Sequence, residues 1–531
     1  MSLSDTQAAQ RYADLEAGRD PFLARARDCA ALTVPYLMPP AGFSALSKLE
    51  TPFQSLGARG VRVLASKLLL SLFPPNTPFF RYLIDDQALQ DLTRSDEMRG
   101  TVEQALAARE KAVLSEMEGA LFRPAAFVAL QHLLVAGNVL LHVPPRGRVR
   151  AFRLDQYVVK RDASGSLLEV VIKEAVARSA LPAPARAALL GGQDAASAPR
   201  EEDKDLDLYT HIRRTREERW EVYQEAEGVT LPDSRGLYPA DALPFLPLRL
   251  SVQPGEDYGR SYVEEYLGDL DSLEGLMEAI VEGSAAAARV VFVVSPNGTL
   301  QLRQFAKART GDVLAGAADD VGVVQTNRHV DLTVARQQAQ DIAQSLAYAF
   351  MLNAAVQRSG ERVTAEEIRY MAAELDNALG GVYTLLGAEF QLPVVRLFSR
   401  RMEVNRKVPP LPDDLIQPQV VTGFQAIGRG YDQQNLKLFV ADILQVLGPE
   451  MAMRYLKPGE FLKRSAASYG IDPGGLLASD DELAQEQQQT QLMQMVQQLG
   501  PQALQQLGGM AQTRMKLDAT PSTPSSSEGS A

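Results

Sequence analysis

The chain is 531 residues long, 46% hydrophobic and 23% charged, with a formal net charge of −12. That length predicts three or four units rather than one core, and the composition excludes a disordered chain. The acidic balance excludes tight gripping of a nucleic-acid backbone, which needs a basic footprint.

The polar start, MSLSDTQAAQRYADLEAG, lacks the apolar core of a secretory signal. The longest apolar runs, such as LLLSLF at 68–73, fall far short of a bilayer span, so the chain is expected to be made and kept in the cytosol until it assembles. Up to residue 135 the periodicity predicts helices. They cover 56–73, closed by Pro74-Pro75, 94–121, closed before Arg123-Pro124, and 125–135, stopped at Ala136-Gly137-Asn138. The period then falls to two and predicts strands at 139–143, 149–157 and 167–172, the last two joined through Asp162-Ala163-Ser164-Gly165. Residues 180–205, rich in Ala, Pro, Gly and charge, form an expected surface excursion. A strand pair follows at 206–213 and 219–226 with the only tryptophan, Trp220, and then a strand at 243–252 that its prolines confine to a sheet edge.

A 26-residue stretch, YGRSYVEEYLGDLDSLEGLMEAIVEG, begins at Tyr258, and from Ser261 to Ala288 it carries seven acidic side chains and no Lys or Arg. On a helix, Glu264, Asp271, Glu274, Glu278 and Glu282 fall within roughly 80° of one another, opposite an apolar seam of Tyr266, Leu270, Leu273, Leu276, Met277 and Ile280. Five like charges on one face cost helix stability. The stripe is either an ordinary solvated face or a surface that repels phosphate. A short β insertion, 290–294 and the turn Ser295-Pro296-Asn297-Gly298, leads through Gly- and Ala-rich loops to Arg328. A second helix, 332–352, with Ala335, Ala339, Ile342, Leu346 and Phe350 on one face, makes an antiparallel partner. The loop NAAVQRSGERV, 353–363, closes at Thr364, which with Glu367 has capping-box spacing. A long helix runs to about 404, with kinks predicted at Gly380-Gly381 and Pro393. Residues 409–480 predict a smaller helical unit, punctuated by Gly423, Gly428, Gly430, Pro449 and Pro458. Residues 481–512 hold 12 Gln around a thin apolar seam, which suits a helix among identical neighbours, and 513–531 read as a disordered tail.

Catalytic constellations are missing from the sequence. There is no GxxxxGK[ST], HExxH or GxSxG. The four histidines, His132, His142, His211 and His329, are scattered. The single cysteine, Cys29, excludes an intrachain disulfide and Cys-based metal sites, and its neighbours Ala30, Ala31 and Leu32 predict a packed thiol. Acidic pairs such as Asp85-Asp86, Glu264-Glu265 and Asp413-Asp414 point apart on a helix or strand, so no metal or cofactor is expected. The chain reads as structural, not as an enzyme.

YGRSYVEEYLGDLDSLE at 258–274 and FMLNAAVQRSGERVTAEEIRY at 350–370 resemble the portal, or head-to-tail connector, proteins of short-tailed bacteriophages of the T7-like group. Further similar blocks are TPFQSLGARGVRVLASKLLLSLFP at 51–74, VAGNVLL at 135–141, YVVKRDASGSLL at 157–168, LGGVY at 379–383 and AIGRG at 426–430; the likeness runs from about Arg11 to residue 475. The resemblance implies an α+β, mainly α, portal fold assembled as a ring, usually of twelve subunits, at one capsid vertex. It implies a wing (1–257), a first stem helix (258–289), a clip (290–330) and a second stem helix (331–352). After these come a tunnel loop (353–363), a kinked helix returning to the wing (364–408), a crown (409–480) and a barrel helix (481–512). Implied partners are double-stranded DNA passing without sequence specificity, the major capsid protein and scaffold, terminase during packaging, then tail adaptor and internal core proteins, with no membrane contact. Gln357, Arg358, Ser359, Gly360, Glu361 and Arg362 would then form the channel loop. Arg358 and Arg362 either face the lumen or pair with the acidic stripe of a neighbour. The competing classes are a terminase-like packaging enzyme and an internal scaffold. The first lacks a phosphate loop, and the second sits badly with a mixed α+β half.

Overall fold

The computed structural model describes residues 7–462 except 45, 76–77, 85–95, 190–204, 288–290, 298, 301, 310, 316, 325–328, 353–374, 376–380, 410–415, 421–427, 457 and 460. The chain divides into a unit ending at Ile427 and another beginning at Gly428.

In the first unit, α1 (Ala8–Ala31) turns Tyr12, Leu23, Ala26, Cys29 and Ala30 inward, and its first amide, on Ala8, donates to the Glu225 carboxylate at 2.9 Å, a favourable charge for a helix start. Helix α2 (Leu56–Leu72) buries Val61, Leu64, Ala65, Leu68 and Leu72 at helical spacing and stops before Pro74-Pro75. Helices α3 (Asp96–Gly119) and α4 (Phe122–Ala136) follow. The break expected at Arg123-Pro124 lies earlier, at Leu121 with φ 54°; Pro124 sits in the first turn of α4, where a missing N–H costs nothing. Nor is this region all helical, because β1 (Phe80–Ile84) pairs antiparallel with β13 (Ile416–Val420).

Strands β2 (Asn138–His142), β3 (Arg150–Phe152) and β10 (Phe245–Arg249) form a three-stranded sheet in the order β10-β2-β3, so the proline-bearing strand is at an edge as its chemistry requires. The single strand expected over 149–157 is two strands in two sheets. A 3-10 turn at Leu154–Gln156, with Leu154 buried and Arg153 paired to Asp155, redirects the chain into β4 (Tyr157–Arg161). That strand starts a six-stranded sheet with β5 (Leu167–Ala177), β6 (Asp205–Arg214), β7 (Trp220–Ala226), β8 (Val229–Thr230) and β9 (Gly236–Tyr238), the last two both paired with β7. A short helix, α5 (Ala183–Leu189), occupies part of the expected surface excursion.

One core joins these layers to the C-terminal part of the unit. Phe73 meets Phe79, Phe122 and Phe390 edge-on, at centroid distances of 5.0, 4.9 and 5.0 Å. In the second unit, α11 (Gly428–Tyr455) is broken at Gly448, φ 71° and ψ 161°, before Pro449, whereas Gly430 does not interrupt it. The small unit expected to start at 409 therefore begins later, since β13 ties 416–420 to β1. The Gln-rich segment 481–512 and the tail 513–531 lie outside the described residues.

Candidate functional site

Helix α6 (Leu267–Ala287) begins after a 3-10 turn at Val263–Tyr266, later than the start expected at Tyr258. The cause is a clasp on the preceding backbone. Asn138 donates from Nδ2 to Gly259 O at 2.8 Å and accepts Gly259 N–H on Oδ1 at 2.7 Å, while Arg260 N donates to Ser251 O at 2.9 Å. These groups are thereby withdrawn from any helix. A Cβ on Gly259 would stand 2.8 Å from Gly137 O and 2.9 Å from Arg249 Cβ, so the crossing needs glycine.

From α6 the chain enters β11 (Val291–Val294), a one-turn helix α7 (Leu302–Phe305) and β12 (Val321–Val324), which pairs antiparallel with β11. The first strand matches expectation; β12 and α7 fall within what looked like loops. Helix α8 (His329–Ala349) returns. Gly283 near the end of α6 abuts Leu332 at the start of α8, and Tyr262 donates from its hydroxyl to Ala349 O at 2.9 Å, so the two helices run antiparallel. Leu270 and Leu273 of α6 and Ala339 and Leu346 of α8 are buried in the same core.

The far end of α8 is locked onto α2. Phe350 is fully buried with its ring over Gly60, where a Cβ would meet Phe350 Cγ at 2.5 Å. Met351 takes φ 54°, and Leu352 N donates to Ala347 O at 2.7 Å, a Schellman-type ending with methionine in the place glycine prefers. Lys67 of α2 donates to Met351 O at 3.0 Å. Gly60 in an otherwise regular helix was the one sequence signal for this notch.

The acidic stripe divides in two. Glu264 pairs with Arg25 Nε and Arg260 Nη1, each at 3.1 Å. Glu274 accepts the backbone N–H of Phe53 at 2.7 Å and of Gln54 at 3.1 Å, holding the approach to α2. These two carboxylates are half-buried, and the expectation of an unbroken stripe is corrected there. Asp271, Glu278 and Glu282 are exposed, as are Glu265 and Asp269. Gln357, Arg358, Ser359, Gly360, Glu361, Arg362, Thr364, Glu367 and Gly380 lie outside the described residues. Gly381 opens α9 (Gly381–Leu386); where a kink was expected at Pro393, a π turn lies just before it, Gly387–Gln391, leading into α10 (Leu392–Val404). Proline cannot donate to the carbonyl one turn back, and the wider turn absorbs that loss.

The titratable groups of the first unit are tied into packing. Burial, then Arg153, lowers the His132 pKa to about 4; burial, then Arg150, does the same for His142, which stacks on Phe245 at 4.2 Å. Burial pushes the Glu169 carboxyl upward, but hydrogen bonds from His211 and Arg11 outweigh it and hold the group at about 2. Cys29 is buried and its thiol is pushed up to about 12, which suits packing rather than attack. Among the described residues, no group of three or more His, Cys, Asp and Glu side chains could hold a metal ion.

The family model described as "Bacteriophage head to tail connecting protein" matches residues 5–477. The chain belongs to this family. The connector is 40% identical to the portal protein of Escherichia phage T7 over 515 residues, 96% of this chain and 94% of that one. It is 38% identical to the portal protein of Enterobacteria phage T3, over 96% and 94% of the two chains. Among solved structures, a chain in the neck of a native gene transfer agent particle, computed with C12 symmetry, aligns with 79% of the connector and 90% of its own length. The TM-score of that likeness is 0.32, at 12% identity. The connector is thus a portal protein, a virion component joining head to tail, and its relatives are named for that structural part.

Proposed function

We propose that the connector acts as a closed ring, of twelve copies, whose bore carries double-stranded DNA into the head during packaging and out at infection. The observation that supports it most is the 40% identity to a phage portal protein along 96% of the chain. In this reading 258–289 and 331–352 form the stem. The insertion 290–330 is the clip, which docks terminase and later the tail adaptor, and 353–363 is the tunnel loop. The ring nucleates assembly with capsid and scaffold proteins, meets internal core proteins inside the head, and performs no catalysis of its own.

The chemistry suits passage rather than capture. Each Lys or Arg paired with phosphate would act as a brake on a sliding duplex. A ring repeats every charge, so Asp271, Glu278 and Glu282 become stacked negative rings whose field a low-dielectric wall strengthens. Gln357, Arg358, Ser359, Gly360, Glu361 and Arg362 supply the few groups suited to restraint. Shortening 356–362 in phage should leave particles that assemble and fill but leak their DNA. Normal genome retention in those particles would remove the valve role from this loop.

A further inference from the structure

At the end of β10, Arg249 is 5% exposed. Its Nη2 meets Glu389 Oε1 at 2.5 Å, while Nε and Nη1 are buried with no hydrogen-bond partner. Beside it is a cavity of about 210 Å³, lined by the Asp162–Gly165 turn and the 252–256 loop. Gly165, φ 85°, leaves the space over Nη1 open, since a Cβ there would stand only 3.5 Å away.

A second guanidinium, that of Arg161, is buried close to Arg249. Arg161, 8% exposed, spends its guanidinium on three carbonyls, those of Asp257, Gly165 and Pro247. The Asp257 carboxylate is taken by Lys160 Nζ and the Arg161 amide. Lys160 is exposed, so the two buried guanidiniums, Arg161 and Arg249, stand with two carboxylates, Asp257 and Glu389, and Glu389 Oε2 also has no hydrogen-bond partner. The other acids at the cavity are engaged elsewhere. Asp162 is exposed and turned into its own loop, accepting from Ser164 N, Ser164 Oγ and Ser166 N, and Glu256 is closed on Arg260. Burial, then the charge of Arg249, lowers the Arg161 pKa to about 10, against Glu389, Tyr157 and Asp257, which raise it. Hydrogen bonds from a guanidinium to an oxyanion are stronger than those to uncharged water.

We propose that this cavity binds a small oxyanion, phosphate or carboxylate, whose oxygens accept from the free N–H groups of Arg249. Bound there, it ties the β4–β5 turn to the backbone that enters α6. The oxyanion comes either from solution or from an acidic side chain of a second copy of the chain.

The test combines melting of the purified full chain in inorganic phosphate, at ionic strength held constant with chloride, with a cryo-electron microscopy map of its assembled form. For a solution anion, the melting temperature rises with phosphate and saturates. The rise disappears in Arg249→Gln and also in Gln253→Glu, which places a carboxylate at the cavity without touching the Arg249–Glu389 pair and so keeps the test alive if Arg249→Gln fails to fold. For a second copy, phosphate has no effect and the map shows an acidic side chain of the adjacent copy at Arg249. An equal phosphate response in wild type and Gln253→Glu, or no response together with a map holding only water in the cavity, overturns the proposal.

Discussion

His132 and His142 make the fold sensitive to acid in a calculable way. Each is held at about 4 in the folded chain, below the usual 6.5, so the unfolded chain takes up protons first as pH falls. Their contribution is complete above 6.5 and is lost between there and 4, at about 1.4 kcal/mol per pH unit for each site. Denaturant midpoints measured from pH 7 to pH 4 should therefore slope downward, and His142→Phe, which keeps the stack on Phe245, should flatten that slope. Glu169 acts lower: held at about 2, it stabilises above its ordinary value near 4.5 and is lost as pH approaches 2. Gly60 is a steric site. Gly60→Ala forces its methyl into the Phe350 ring and should cost about 1–3 kcal/mol in denaturant unfolding, part of it recovered in Gly60→Ala/Phe350→Leu.

The α6 helix, with its acidic face and its apolar seam, was legible from spacing alone, because burial on one side imposes a 3.6-residue period. What each carboxylate touches was not. Glu274 and Glu278 are equivalent in sequence, yet Glu274 holds amides of a segment more than 200 positions earlier, a contact no local period encodes. For the same reason β1 was missed: its partner β13 lies at 416–420. The 149–157 strand split because Leu154 is buried in the turn, a tertiary demand that overrides alternation. The prolines around β10 were read correctly, since a missing N–H acts through the local backbone, whereas at Pro393 a kink was expected and a π turn stands just before it. The division of the stripe sets a paired prediction for this element. Glu274→Lys should lower stability by about 1–3 kcal/mol by leaving two amides without their acceptor. Glu278→Lys with Glu282→Lys should melt like wild type and assemble, yet slow DNA packaging or ejection in phage. Unchanged DNA passage in that double variant would move the exposed carboxylates to the outer wall of the stem.

At the scale of the molecule, an antiparallel helix pair with a two-stranded hairpin at one end has too little surface of its own to bury. Val281, Val334 and Tyr348 stand 47%, 65% and 81% exposed on the pair. Neighbouring copies would cover such side chains, and the wedge between neighbours sets how many copies close. Class averages of the purified full chain by electron microscopy test this most directly. The account predicts closed rings with a central hole that admits a DNA duplex. A protein that stays monomeric at every concentration, or rings whose hole is too narrow for a duplex even with residues 353–363 deleted, would contradict it.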